Sequence, residues 1–215
     1  MSGTWTIFGL GNYVWDVIDT IESRGGVVER VVLNVEVDPG LLARLPSGVE
    51  IVRIDDFKPS SAHHCFGFTG PAIAGLLARV EPLGLDFASA IHVTAYVAST
   101  ARVGRGAFVG AGAVLAPHAV VGEFTQVNRQ VSIGHDSTLG AFGKTGPGAI
   151  VCGLVAVGDR FYLGAGSVVR DRVRICPDVT VGVGAAVVGD LVEPGTYVGV
   201  PARKVGSADS PTWGA

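Results

Sequence analysis

The chain has 215 residues, 48% hydrophobic and only 16% charged, with a formal net charge of −3 and a mean hydropathy of +0.45. No apolar run approaches the roughly 18 residues of a membrane span, and the slightly acidic balance argues against a basic nucleic-acid-binding surface. The start, MSGTWTIFGLGNY, has neither a basic n-region nor a small-residue cleavage site, so no secretory signal is expected. Cys65, Cys152 and Cys176 are far apart and lack metal or redox spacing, which reads as reduced thiols in a cytoplasmic protein. Glycine is the outlier at 32 residues, about twice its usual share. The composition is too apolar for disorder, so a repeat with one tight turn per unit is the expectation.

In chain order, TWTIF reads as a strand ending at Gly9-Leu10-Gly11-Asn12, followed by a helical pattern through Val14, Val17, Ile18 and Ile21 to Gly25-Gly26. VVERVVLN, VEIVRI and HCFGF read as three more strands, and Ala72 to Val80 as a second helix. This predicts a small Rossmann-like α/β domain over residues 1–84 with parallel strands. The Gly-rich turn opening the first helix suits a diphosphate, because amide N–H groups and the helix dipole converge there. A tight turn needing glycine for sterics is an equal alternative.

From Ile91 the chain falls into seventeen consecutive blocks of six, from IHVTAY to VVGDLV, ending at Val192. The first position is aliphatic in sixteen, Thr145 being the exception, and the second is glycine in nine. Three hexapeptides per triangular turn place residue i under residue i+18, stacking the aliphatic column into one core. Seventeen repeats give between five and six coils of parallel β-helix over 85–205, with Val103, Val109, Val121, Ile133 and Leu139 facing inward. Residues 206–215 read as a flexible tail.

His135 stands at the third, outward position of IGHDST, followed directly by Asp136, which favours the imidazolium formed when the ring accepts a proton. A solvated surface histidine is the plain alternative. His118, in LAPHAV, lies almost one coil below and lines the same surface. His92 and the His63-His64 pair complete the histidines. No two histidines inside the coils are five residues apart, so no metal site is expected.

The runs VNRQVSIGHDSTLGAF, LGAGSV and EPGTYVGVPARKV, with IHVTAYVAS at the start of the repeats, resemble hexapeptide-repeat sugar acetyltransferases. The likeness is to the sialic-acid O-acetyltransferase and bacillosamine N-acetyltransferase type. The resemblance implies a left-handed helix, a homotrimer holding acetyl-CoA between neighbouring subunits, and an N-terminal domain that binds a sugar nucleotide. It makes His135 the catalytic base and places Asp136 where the family often has Glu. It puts Lys144, Gly153, Ala165, Val183, Arg203 and Lys204 along CoA, Lys144 standing where relatives often carry a second histidine. Gly11, Asn12, Tyr13, Asn34 and His118 become the substrate-binding candidates. The α/β part departs from the family's Gly-x-x-Gly-His-Gly, has Asn34-Val35-Glu36 in place of an acidic pair, and lacks the basic residue usual after the fourth strand in GFTGPAIAG.

The expectation is direct transfer of an acetyl group to an amine or hydroxyl of a small, nucleotide-linked sugar in glycan biosynthesis, with no metal, nucleic acid or membrane partner. The rivals are a silent β-helix scaffold or binding module and, with less support, a metal-dependent hydratase of the carbonic-anhydrase type. The adjacent, outward His135-Asp136 pair favours the enzyme.

Overall fold

The computed structural model describes residues 3–206 apart from position 71; the expected tail lies outside the described residues except for Gly206. A four-stranded parallel sheet of order β3-β2-β1-β4 is formed by β1 (Gly3–Phe8), β2 (Gly26–Leu33), β3 (Glu50–Arg53) and β4 (His63–Phe66). Helices α1 (Val14–Glu22) and α3 (Ala72–Val80) each bury one apolar stripe, Val14, Val17, Ile18 and Ile21 on the first and Ile73, Leu76, Leu77 and Val80 on the second. The sequence reading missed α2 (Pro39–Leu42), which buries no residue and therefore leaves no apolar stripe to read. Its signal is local: Asp38 caps it by accepting from the Gly40 N–H, with Pro39 in the first turn.

From β5 (Ala90–Ile91) onward the chain winds as a left-handed parallel β-helix. Its two-residue strands are the sixth and first positions of successive hexapeptides, and they stack into three faces. One face contains β6 (Tyr96–Val97), β9 (Val114–Leu115), β12 (Ser132–Ile133), β15 (Ile150–Val151), β18 (Val168–Val169) and β21 (Ala186–Val187). A second contains β7 (Arg102–Val103), β10 (Val120–Val121), β13 (Thr138–Leu139), β16 (Ala156–Val157) and β19 (Arg174–Ile175). The third starts at β5 and continues through β8 (Phe108–Val109), β11 (Gln126–Val127), β14 (Lys144–Thr145), β17 (Tyr162–Leu163) and β20 (Val179–Val181) to β22 (Gly195–Val198) and the antiparallel β23 (Arg203–Gly206).

From β5 to β21 each strand pairs with one 18 residues away, as in Val121 with Val103 and with Leu139. The inward column is buried as expected: Val109, Val121, Ile133 and Leu139 are inaccessible, and Val103, in the first coil, is partly covered. Thr145, the exception in the aliphatic column, is equally buried and keeps its hydroxyl satisfied. Its Oγ1 donates to the Gln126 carbonyl and accepts from the Asn128 N–H at 2.9 Å. The fourth position of the turns takes positive φ, which glycine supplies at Gly106, Gly112, Gly148, Gly166 and Gly184, while His118 and Asp136 are among the other residues that adopt it.

The α/β unit lies on the third face. Tyr13 meets Phe108 edge to face at 5.1 Å, Phe124 packs against Phe66 and Phe87, Arg129 pairs with Asp16, and Arg105 pairs with Glu81.

His64 on β4 sits among Phe8, Phe57 and Phe87 with 1% exposure. Its Nδ1 proton goes to the Asp86 carbonyl, leaving Nε2 buried and unpartnered. Burial therefore lowers its pKa, outweighing the hydrogen bond and charge of Asp86. The unfolded chain takes up this proton first, so stability is unaffected above the unfolded value of about 6.5 and falls as pH drops from there toward the folded pKa. Urea unfolding at pH 7 and pH 5 is expected to show a smaller loss for His64→Phe than for the wild type; equal losses would remove His64 from the account.

Candidate active site

His135 projects from the turn between β12 and β13, the corner where the six- and five-stranded faces meet. Its side chain is 61% exposed, and Nδ1 lies 2.8 Å from Asp136 Oδ2. An ionised carboxylate only accepts, so this contact places the proton of the neutral ring on Nδ1 and leaves the Nε2 lone pair free. Asp136 is fixed from below: it takes φ 56°, and its N–H donates to the Pro117 carbonyl at 3.1 Å.

Gly153 gives the ring its place. A side chain at Gly153 would put Cβ 2.7 Å from His135 Nε2 and 2.9 Å from Cε1, so the imidazole rests over bare backbone one coil up. The sequence reading gave Gly153 a CoA contact and missed this packing role. The clue was available in the 18-residue spacing between the two positions. His118 joins the same corner one coil below Asp136, exposed, with φ 61° and its N–H bonded to Thr100 Oγ1.

The other candidates lie elsewhere. Ala165 and Val183 stack on the corner between the six- and eight-stranded faces, Val183 being 75% exposed. Arg203 and Lys204 stand on β23, where Lys204 pairs with Glu193 at 2.7 Å. Lys144, on the eight-stranded face, turns toward the α/β unit and donates from Nζ to Thr69 Oγ1 at 3.1 Å, a partner the sequence reading did not identify.

Gly11, Asn12, Tyr13 and Asn34 lie at the carboxyl edge of the four-stranded sheet. Gly9, not Gly11, carries the positive φ of that turn; a side chain at Gly9 would put Cβ 2.5 Å from the Phe68 ring, whereas at Gly11 it would meet Phe68 Cβ at 3.2 Å. Steric need thus accounts for Gly9. Tyr13 buries its hydroxyl, without a partner, against the eight-stranded face, and burial raises its pKa. In a three-sided prism the His135 corner is opposite that face. A single chain brings His118, His135, Asp136 and Gly153 together, and keeps them apart from the edge bearing Gly11, Asn12, Tyr13 and Asn34.

Among the described residues, no group of three His, Cys, Asp or Glu side chains is placed to hold a metal, and no helix is long and apolar enough to cross a membrane.

No protein-family model matches the chain. Its structural neighbours include a sugar N-acetyltransferase. Perosamine N-acetyltransferase from Caulobacter crescentus, solved with CoA and GDP-perosamine, is 29% identical and superposes over 96% of this chain and 98% of its own with a TM-score of 0.84. The acetyltransferase domain of PglB from Neisseria gonorrhoeae, solved with acetyl coenzyme A, shares the fold at 23% identity over 95% and 100% of the two chains, with a TM-score of 0.84. Among curated proteins, mitochondrial serine acetyltransferase 3 of Arabidopsis thaliana is 37% identical over 93 residues, 42% of this chain. The chain spans only 22% of that relative's length.

Gly153→Ala places a methyl group where the imidazole rests. It is expected to displace the His135 ring with little change in melting temperature, read as shifted imidazole resonances by NMR. Unmoved resonances in a folded variant would show that Gly153 does not set the ring.

Proposed function

We propose that this chain is an acetyl-CoA-dependent acetyltransferase acting on an amine or hydroxyl of a nucleotide-linked sugar, in cytoplasmic glycan biosynthesis. The observation that carries the reading is the exposed His135 imidazole, with Nδ1 engaged by Asp136 and Nε2 free over Gly153. A free Nε2 is the acceptor that general-base chemistry requires. As the amine or hydroxyl attacks the thioester carbonyl, Nε2 removes its proton and Asp136 stabilises the imidazolium. Backbone N–H groups support the oxyanion. Collapse expels the CoA thiolate, which recovers the proton from the imidazolium, so the ring ends neutral. The 29% identical neighbour is an N-acetyltransferase bound to CoA and GDP-perosamine, which favours an amine acceptor on a nucleotide sugar.

The complete site forms between copies in a homotrimer. Tyr96, Val114, Ile150 and Val168, interrupted by Ser132, leave the six-stranded face mostly apolar on its outer side, whereas the five-stranded face carries Arg102 and Arg174 at the equivalent outward positions. An apolar face of this kind is what a second subunit covers. Docking there brings the His135 corner of one subunit beside Ala165 and Val183 of the next, leaving a groove for acetyl-CoA, with Arg203 and Lys204 toward its phosphates. The neighbour's α/β edge, with Gly11, Asn12 and Asn34, then supplies the acceptor.

Thiol release from acetyl-CoA, followed across a panel of nucleotide-linked amino sugars, tests the reaction. His135→Ala is expected to lower kcat by about 10²–10⁴-fold; an unchanged kcat at saturation would exclude His135 as the base. Light scattering should give three times the 22.0 kDa chain mass. Ile150→Asp is expected to yield a folded monomer without thiol release; an active monomer would refute a shared site.

A further inference from the structure

The sheet order β3-β2-β1-β4 reverses between β1 and β4, since the chain steps one way to β2 and β3 and the other way to β4. In open parallel sheets, ligands enter the crevice outside the carboxyl ends at such a switch point. Here the crevice is bounded by the turn after β1 (9–13) and the turn after β4 (67–70). Because the unit lies on the eight-stranded face, a side chain of β14 reaches it as well. That side chain is Lys144, anchored to Thr69 in the second turn.

Lys144 is half-buried, and among the described residues no carboxylate pairs with it. The arginines around it at the unit's contacts are matched, Arg129 by Asp16, Arg105 by Glu81 and Glu123, and Arg79 by Asp55. Burial lowers the Lys144 pKa, with no nearby negative charge to offset it. An ammonium in this position is costly unless an anion completes it. The glycine turn does not take that role alone, because Phe68 covers Gly9 and Gly11.

We propose that Lys144, oriented by Thr69, is the cation of the acceptor site and holds the phosphate groups that link the sugar to its nucleotide. This assigns Lys144 to the acceptor and not to CoA, and it makes Lys144 a determinant of selectivity for phosphate-bearing acceptors. The inference rests on the acyl-transfer reading above.

Steady-state kinetics of Lys144→Gln should show the KM for a nucleotide-linked amino sugar raised by about 10–100-fold, the loss expected for a charge-assisted contact. The KM for acetyl-CoA should stay at its wild-type value, and Lys144→Arg should recover much of the lost affinity. The melting temperature of ligand-free Lys144→Gln should equal or exceed the wild type, since an unpaired, half-buried charge has been removed. A merely structural tie to Thr69 would lower it. Calorimetric titration of GDP and UDP into the trimer gives a readout independent of turnover: binding to the wild type and its loss in Lys144→Gln supports the assignment even with no acyl transfer detected. A raised KM for acetyl-CoA alone, or unchanged acceptor KM and nucleotide binding, overturns it.

Discussion

Tyr13 against Phe108, Phe124 between Phe66 and Phe87, and Asp16 paired with Arg129 fix the α/β unit on one face of a three-sided helix. The remaining geometry depends on that docking. It consumes the eight-stranded face along the early coils, turns Lys144 inward to Thr69, and leaves His135 pointing away on the opposite corner. The proposed acceptor crevice and the proposed base therefore face in opposite directions within each chain. In the proposed trimer, a second copy meeting the apolar side chains of the six-stranded face would bring them together, and the arginine-bearing face is the poorer partner.

Most of the helix was legible because each coil repeats one environment. An aliphatic residue every sixth position has a single physical use, and Val109, Val121, Ile133 and Leu139 are inaccessible. Thr145 breaks the pattern without breaking the coil, because its hydroxyl bonds the backbone of the neighbouring coil. Strands β1 and β2 were legible for a related reason, as runs rich in apolar and β-branched residues, whereas β3 is an exposed edge strand and β4 is His63-His64-Cys65-Phe66. The short α2 was not, because its capping residues, Asp38 and Pro39, organise a turn that buries nothing.

Within the candidate site, His135 and Asp136 were legible as an adjacent polar pair at an outward position. Gly153 illustrates the limit. Its lack of a side chain answers to a ring 18 residues earlier, so its role shows only when the coils are stacked. Phe68 and Thr69 were invisible for a stronger reason: they matter through the turn after β1 and through Lys144, contacts made by tertiary docking with no periodic trace. The glycine turn could be read either as a phosphate cradle or as a steric necessity. Phe68 lying over Gly9 shows what the sterics are.

The first coil has a further property. Strands β5, β6 and β7 begin their three stacks, and nothing in the helix lies beneath them. Helix α1 closes this end: Arg24 donates from Nε to the Ile91 carbonyl at 2.6 Å, Ser23 Oγ accepts from the Val93 N–H, and Asp19 reaches His92. A cavity of about 350 Å³ lies at this junction, lined by Trp5, Ile21, Arg24, Ile91, Val97 and Val103. The α/β unit is thus a plug as well as a candidate acceptor module. Cut from it, the solenoid would begin with open edges and half-covered valines, the surface on which stacked strands polymerise end to end. Reshuffling this helix onto another recognition module would require the newcomer to seal that end as well as to bind its own ligand.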